Sequence, residues 1–142
     1  MGYLNKKEIP GNLTYNKTDK LKSRKLIDQL FKQEQSFSIF PFRVLYMNSC
    51  EPGSFLRAGF GVSSKKFKKA VDRNAIKRLM REAYRLQKID LGLELKGINK
   101  GLAIFVVYTG NEIPAYSQVF DKMSLVILRL LTFVHEDAST NP

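Results

Sequence analysis

The sequence predicts an α+β fold: a single-domain sandwich in which one mixed sheet carries helices, in the order α-β-β-α-β-α. Three observations lead there. Ser38–Met47 and Leu56–Ser63 alternate side chains with the period of a strand, and Leu102–Thr109 is apolar throughout, as a central strand is. Segments before, between and after them place apolar residues three and four apart, the spacing of helices. With 142 residues and 44% hydrophobic content, the chain can bury one core.

Residues 1–20 mix Lys, Asn, Gly and Pro without periodicity and read as a mobile basic extension, followed by one domain over 21–135 and a tail over 136–142. Ser23 can cap a helix running to about Gln33, with Leu26, Ile27, Leu30 and Phe31 at core-facing spacing. In the first strand Phe40, Phe42, Val44 and Tyr46 share one face, and Ile39, Pro41, Arg43, Leu45 and Met47 the other. Pro41 lacks an N–H, which puts this strand at an edge or starts it near that point. Asn48–Ser54 holds Pro52-Gly53 and reads as a turn.

The second strand sets Leu56, Ala58, Phe60 and Val62 against Arg57, Gly59, Gly61 and Ser63, and the two glycines leave a shallow track on their face. A helix follows to about Lys88, then a connector over Leu91–Gly101 and the apolar strand. The last helix, about Ala115–Val134, aligns Tyr116, Val119, Phe120, Met123, Ile127, Leu130 and Val134. Leu125, Leu128 and Leu131 lie off that stripe and read either as a second burial surface, the preferred assignment, or as a self-association patch.

Charge is concentrated. Ser63–Arg85 carries nine of the 24 Lys and Arg residues against Asp72 and Glu82, so it holds +7 of the net +11. Asn74, Arg78, Arg81 and Arg85 recur at spacings of four, three and four and form one stripe, flanked by Arg73, Lys77 and Tyr84. Val71, Ala75, Leu79, Ala83 and Leu86 fall opposite and are expected to face the core. Like charges at this spacing destabilise an isolated helix by roughly 0.2–0.5 kcal/mol per pair, so the stripe is an arrangement suited to an anion. Ordered guanidinium groups on a basic protein point to nucleic acid.

Other classes find little support. Cys50 is the single cysteine and His135 the single histidine, which removes intrachain disulfides and thiolate or imidazole metal clusters. The N-terminal stretch has no apolar signal-peptide core, and the most apolar window, Met123–Val134, falls short of the roughly 20 residues that span a bilayer. A soluble cytoplasmic protein without a membrane partner is expected. The 13 Asp and Glu residues are scattered. Asp72 and Glu82 stand about 15 Å apart along a helix, whereas a two-metal nuclease site needs ions about 3.5–4 Å apart. No catalytic or metal-ligating residue is assigned.

Ala70-Val71-Asp72-Arg73-Asn74-Ala75-Ile76-Lys77-Arg78-Leu79-Met80-Arg81-Glu82 closely resembles the signature helix of the bacterial ribonuclease P protein subunit. Leu56-Arg57-Ala58-Gly59-Phe60-Gly61-Val62-Ser63 and the lysines after it resemble the strand and Lys-rich turn that precede that helix. Lys20-Leu21-Lys22 with Phe31-Lys32, and Phe42-Arg43-Val44-Leu45-Tyr46, resemble the family's first helix and first long strand. Ala75 departs from the pattern where a second Arg is usual, and Ile27 where an aromatic is common.

The resemblance implies parallel strands flanking the basic helix, joined by a left-handed crossover that the general rule for such units would not predict. It implies an accessory subunit of an RNA-based endoribonuclease that removes the 5′ leader from precursor tRNA, the RNA subunit holding the catalytic Mg2+. Its partners would be the catalytic RNA subunit and precursor tRNA, met by two surfaces of the protein, with no protein oligomer required. Lys65, Lys66, Lys68, Lys69, Arg73, Asn74, Lys77, Arg78, Arg81 and Arg85 would bind the catalytic RNA, and Ile27, Phe31, Phe42 and Tyr46 the single-stranded leader. Core packing is the competing reading for Phe31 and Phe42. The rival function is a stand-alone structural RNA-binding protein, for example a ribosome-associated one. A protein-only nuclease and a helix-turn-helix DNA binder fit less well.

Overall fold

A computed structural model describes residues 20–21, 23–32, 35–49 and 55–140. The rest of the extension over 1–20 and most of the 48–54 turn lie outside the described residues. The elements are α1 (Arg24–Lys32), β1 (Ser36–Ile39), β2 (Phe42–Ser49), β3 (Leu56–Val62), α2 (Ala70–Gln87), α3 (Ile89–Gly97), β4 (Gly101–Tyr108) and α4 (Tyr116–Thr140). The sheet order is β1-β2-β4-β3, with β1·β2 and β2·β4 antiparallel and β3·β4 parallel. It is the expected mixed sheet, with the apolar segment as β4 in its middle.

Every expected element is present in the expected order, and two short ones are added. The segment read as one strand from Ser38 is folded back on itself at Phe40-Pro41, a cis peptide bond. Residues 36–39 pair with 42–45 as an edge hairpin, so β2 begins directly after the residue that cannot donate to a ladder. The connector after Lys88 is largely helical, as α3, with Leu91 and Leu95 buried. Its glycines at 92 and 97 obscured that turn of apolar spacing. At the other end, α4 continues to Thr140, into the stretch read as a tail. Ser23 caps α1 as expected: the Leu26 amide donates to its Oγ at 3.3 Å.

The sheet's two faces are covered unequally. On one, Phe42, Val44, Leu56, Ala58, Phe60, Leu102, Ile104 and Val106 pack under α2, α3 and α4 as the main core. On the other, α1 brings Leu30, with Leu21, onto Leu45 and Ala103, and these four form a second, small buried cluster. Leu21 is tied to the β3 edge by its amide, which donates to the Ala58 carbonyl at 3.0 Å.

The basic helix is rotated from expectation. Its buried residues are Ile76, Met80, Ala83 and Tyr84, while Val71 is 77% exposed, Ala75 is exposed and Leu86 is 42% exposed. At about 100° per residue the true buried face lies roughly a quarter-turn from the one read from Val71. The reason is area: Ile76, Met80 and Tyr84 bury more surface than Val71 and Ala75 could, and Tyr84 meets Phe60 edge-on at 5.4 Å. Tyr84 is therefore core and not a flank of the basic stripe. In α4, Val119, Met123, Val126, Ile127, Leu130 and Val134 are buried as the spacing predicts. Leu125 and Leu128 are 44% and 60% exposed, which corrects their assignment to a second burial surface, and Leu131 is half-buried.

Candidate nucleic-acid interface

The lysine turn between β3 and α2 is pinned from inside. Phe67 is buried and lies 6.1 Å from the Tyr108 ring, and its amide donates to the Ser63 carbonyl at 3.1 Å. With that anchor seated, Lys65, Lys66, Lys68 and Lys69 are all left exposed around it. Lys66 Nζ donates to the Thr109 carbonyl at 2.6 Å, tying the turn to the end of β4.

Arg73 has a different role from its neighbours. Its Nη1 donates to the carbonyls of Phe67 and Lys68 at 2.6 and 2.9 Å, so it braces the turn against the first turn of α2. Asn74, Arg78 and Arg81 are exposed along one side of the helix, with Lys77 half-buried beside them. Among the described residues no carboxylate pairs with Arg78 or Arg81. Arg85 continues the stripe but is occupied: its Nε donates to Glu82 Oε2 at 3.1 Å. That bond holds the Glu82 carboxyl below the usual carboxylate range, and the same partner raises Arg85. The free guanidinium surface is thus narrower than the sequence stripe, centred on Arg78 and Arg81.

The four residues expected to line an aromatic cleft do not meet. Ile27 and Phe31 sit on α1, over the face of Leu45, Met47, Phe105 and Val107. Phe42 is 1% exposed and Tyr46 packs with the main core, both on the opposite face. Strand alternation put Phe42 and Tyr46 together correctly, but the helix above them is α4 and not α1. The aromatic neighbour of Phe31 is Phe105, with ring centroids 5.4 Å apart, and Phe31 is 53% exposed.

Sequence reasoning missed the residues that complete this open face. Across the register Arg43 faces Val107 and Val107 faces Gly61, and Arg43 is exposed. The glycine track is real, and the chain itself uses it. A Cβ on Gly59 or Gly61 would come within 2.8 or 2.9 Å of the Phe105 ring, so the missing side chains let that ring lie across β3. The signal available was Arg43, a charged residue alternating into the Leu45 and Met47 face of a strand flanked by aromatics.

A mixed sheet partly uncovered on one face and backed by a core on the other, with a guanidinium-bearing helix following its parallel edge strand, defines a small basic α+β protein. Similarity to known proteins narrows this class. A family model described as Ribonuclease P matches residues 15–130. The ribonuclease P protein component of Porphyromonas gingivalis is 32% identical over 135 residues, covering 93% of this chain and 97% of that one. The solved ribonuclease P protein of Thermotoga maritima superposes with a TM-score of 0.59 at 27% identity, covering 78% of this chain and 96% of that one. A Staphylococcus aureus ribonuclease P protein structure shares the fold, with a TM-score of 0.60 at 24% identity over 80% of this chain and 94% of that one. The chain belongs to the ribonuclease P protein family, the protein components of a tRNA-processing ribonuclease.

Proposed function

We propose that this chain is the accessory protein subunit of a ribonuclease P ribonucleoprotein, which hydrolyses precursor tRNA at the 5′ end of the mature sequence. The observation that carries the reading is α2: its large apolar residues are anchored in the core, while Asn74, Arg78 and Arg81 stand exposed beside four exposed lysines. Side chains held this way present guanidinium forks to phosphates without being needed for packing, so they position folded RNA and do not read its sequence. Arg73 acts through the lysine turn it braces.

The open sheet face under α1 takes the single-stranded leader. Phe31 and Phe105, whose ring lies over Gly59 and Gly61, offer ring surface, Val107 a flat floor beside them, and Arg43 a cation for the strand's phosphates. Base stacking there is tolerant of sequence, as suits leaders that vary. Phe42 and Tyr46 leave this role, and Ile27 keeps it as an aliphatic wall.

Magnesium belongs with the RNA subunit in this reading. Among the described residues no three His, Cys, Asp or Glu side chains come together as a ligand set. The protein's work is to hold the substrate where the RNA acts on it, which raises affinity for both substrate and divalent ion. The test is precursor cleavage at low magnesium by catalytic RNA alone, protein alone, and both. Cleavage that requires the RNA and is strengthened by the protein supports the proposal. Folded-RNA binding without any gain in cleavage would favour the stand-alone structural role.

A further inference from the structure

A cavity of about 470 Å³ lies on the helix-covered side of the β1–β2 hairpin, away from α1. Its floor is Phe37 of β1 and Tyr46 of β2, with ring centroids 5.8 Å apart. Its wall is α4, where Arg129, Thr132, Phe133 and Glu136 follow one another at spacings of three, one and three and so share a face. Phe133 meets Tyr46 edge-on at 4.6 Å. The Arg129 guanidinium carbon stands 5.4 Å from the centre of the Phe37 ring.

The size falls within the roughly 300–1,000 Å³ of small-ligand sites. Three half-buried aromatic rings and an arginine surround it, and Arg129 is exposed. Among the described residues neither the Arg129 guanidinium nor the Tyr46 hydroxyl forms a hydrogen bond. An arginine held over a ring keeps its edge donors available to an oxyanion. Rings beside a cation, with hydroxyls at the rim, match a planar base carrying a phosphate.

We propose that this cavity takes one unstacked nucleotide of an RNA strand, its base against Phe37 and Tyr46 and its phosphate at Arg129. Purines fit better than pyrimidines because they offer more ring to stack. The assignment to an RNA strand, as opposed to a free nucleotide, rests on the function proposed above. Occupancy by a nucleotide does not.

The experiment follows backbone and aromatic resonances of the full chain during titration with GMP, AMP, CMP and UMP, with inorganic phosphate, and with a short single-stranded oligoribonucleotide. Saturable shifts at Phe37, Tyr46 and Thr132, stronger for GMP and AMP and displaced by the oligonucleotide, are expected. Arg129→Gln should weaken them roughly ten- to a hundredfold, and Arg129→Lys should recover part of the loss. Both variants change an exposed residue, and a retained native spectrum shows that each is folded. Shifts absent at about 10 mM GMP, or reproduced by phosphate alone, would overturn the site. Mononucleotide binding that the oligonucleotide cannot displace would overturn the RNA assignment. A holoenzyme assay kept separate from this titration tells the two readings apart: loss of cleavage stimulation with the shifts intact sinks the function and leaves the nucleotide site.

Discussion

The two faces of the sheet differ in how completely they are covered. Toward α2, α3 and α4, the strands present Phe42, Val44, Ala58, Phe60, Ile104 and Val106, each buried in a continuous core. Toward α1, Leu45 and Ala103 are covered, and Phe105, Val107 and Met47 remain half-buried. A nine-residue helix cannot roof four strands. Apolar side chains that are partly uncovered yet backed by a packed layer keep their positions without a cover of their own, and that is the property a stacking platform needs. The packed core lies on one face, and partly uncovered apolar surface on the other.

The strongest way to break this contrast is to truncate one aromatic on each side. Tyr84→Ala should cost about 3–5 kcal/mol in urea unfolding of the full chain, because its fully buried ring fits against Phe60. Phe31→Ala, at 53% exposure, should cost less than about 1 kcal/mol. Equal losses would mean that α1 contributes to the fold as much as α2 does.

The functional counterpart reverses the order. Phe31→Ala should lower the ratio of precursor to mature tRNA affinity in the holoenzyme by roughly five- to 150-fold, the value of one stacking platform at about 1–3 kcal/mol. Ile27→Phe should raise the ratio, and Gly61→Ala, which displaces the Phe105 ring, should lower it by less than Phe31→Ala does. Phe42→Leu, on the covered face, should leave it unchanged while reducing stability. A fall for Phe42→Leu matching that for Phe31→Ala would place the leader elsewhere.

The basic helix should respond to salt. Arg78→Ala with Arg81→Ala removes two exposed cations, so the slope of log affinity against log salt should flatten by about 1.4–1.8 if both meet phosphates. Unfolding should move by no more than about 0.5 kcal/mol per site. An unchanged slope would show that this stripe is solvated in the complex.

The smallest effect concerns Arg85. Glu82→Gln weakens its partner, so RNA affinity should rise slightly and the salt slope steepen by no more than about 0.9. Because the folded Glu82 pKa is depressed, the pair's contribution to stability is present above the unfolded carboxylate value of 4.5 and is lost as pH falls through the folded value. Neutral-pH stability curves of the variant and parent should differ little, and any convergence should occur in acid. A stability gap that grows with falling pH would reverse that sign.

Much of the fold was legible from spacing alone. Strand alternation placed Leu56, Ala58 and Phe60 on one side, and they are buried there; the uninterrupted run at 102–108 is the central strand. Ser23, a short polar residue before apolar spacing, marks the start of α1 where it occurs. The hairpin at Pro41 was half legible, since proline announced where β2 starts but not that the preceding residues pair with it. For the site, the concentration of cations located the helix, and the resemblance supplied the RNA. The division of labour within it was hidden: Arg73 bracing the turn and Arg85 holding Glu82 look like Arg78 and Arg81 until their carbonyl and carboxylate neighbours are seen.

What the chain's order of residues could decide were relations within an element: which side chains share a face, where a helix begins, where charge accumulates. It does not decide how α2 is turned about its own axis: spacing alone points Val71 and Ala75 inward, whereas Ile76 and Met80 are the buried residues. Nor does it decide which face of the sheet α1 covers: the sequence pairs Phe31 with Tyr46, whereas Phe31 meets Phe105 on the opposite face. Periodicity repeats along a segment and is blind to rotation of the whole. That rotation is chosen when elements far apart in sequence bury their largest apolar surfaces against one another.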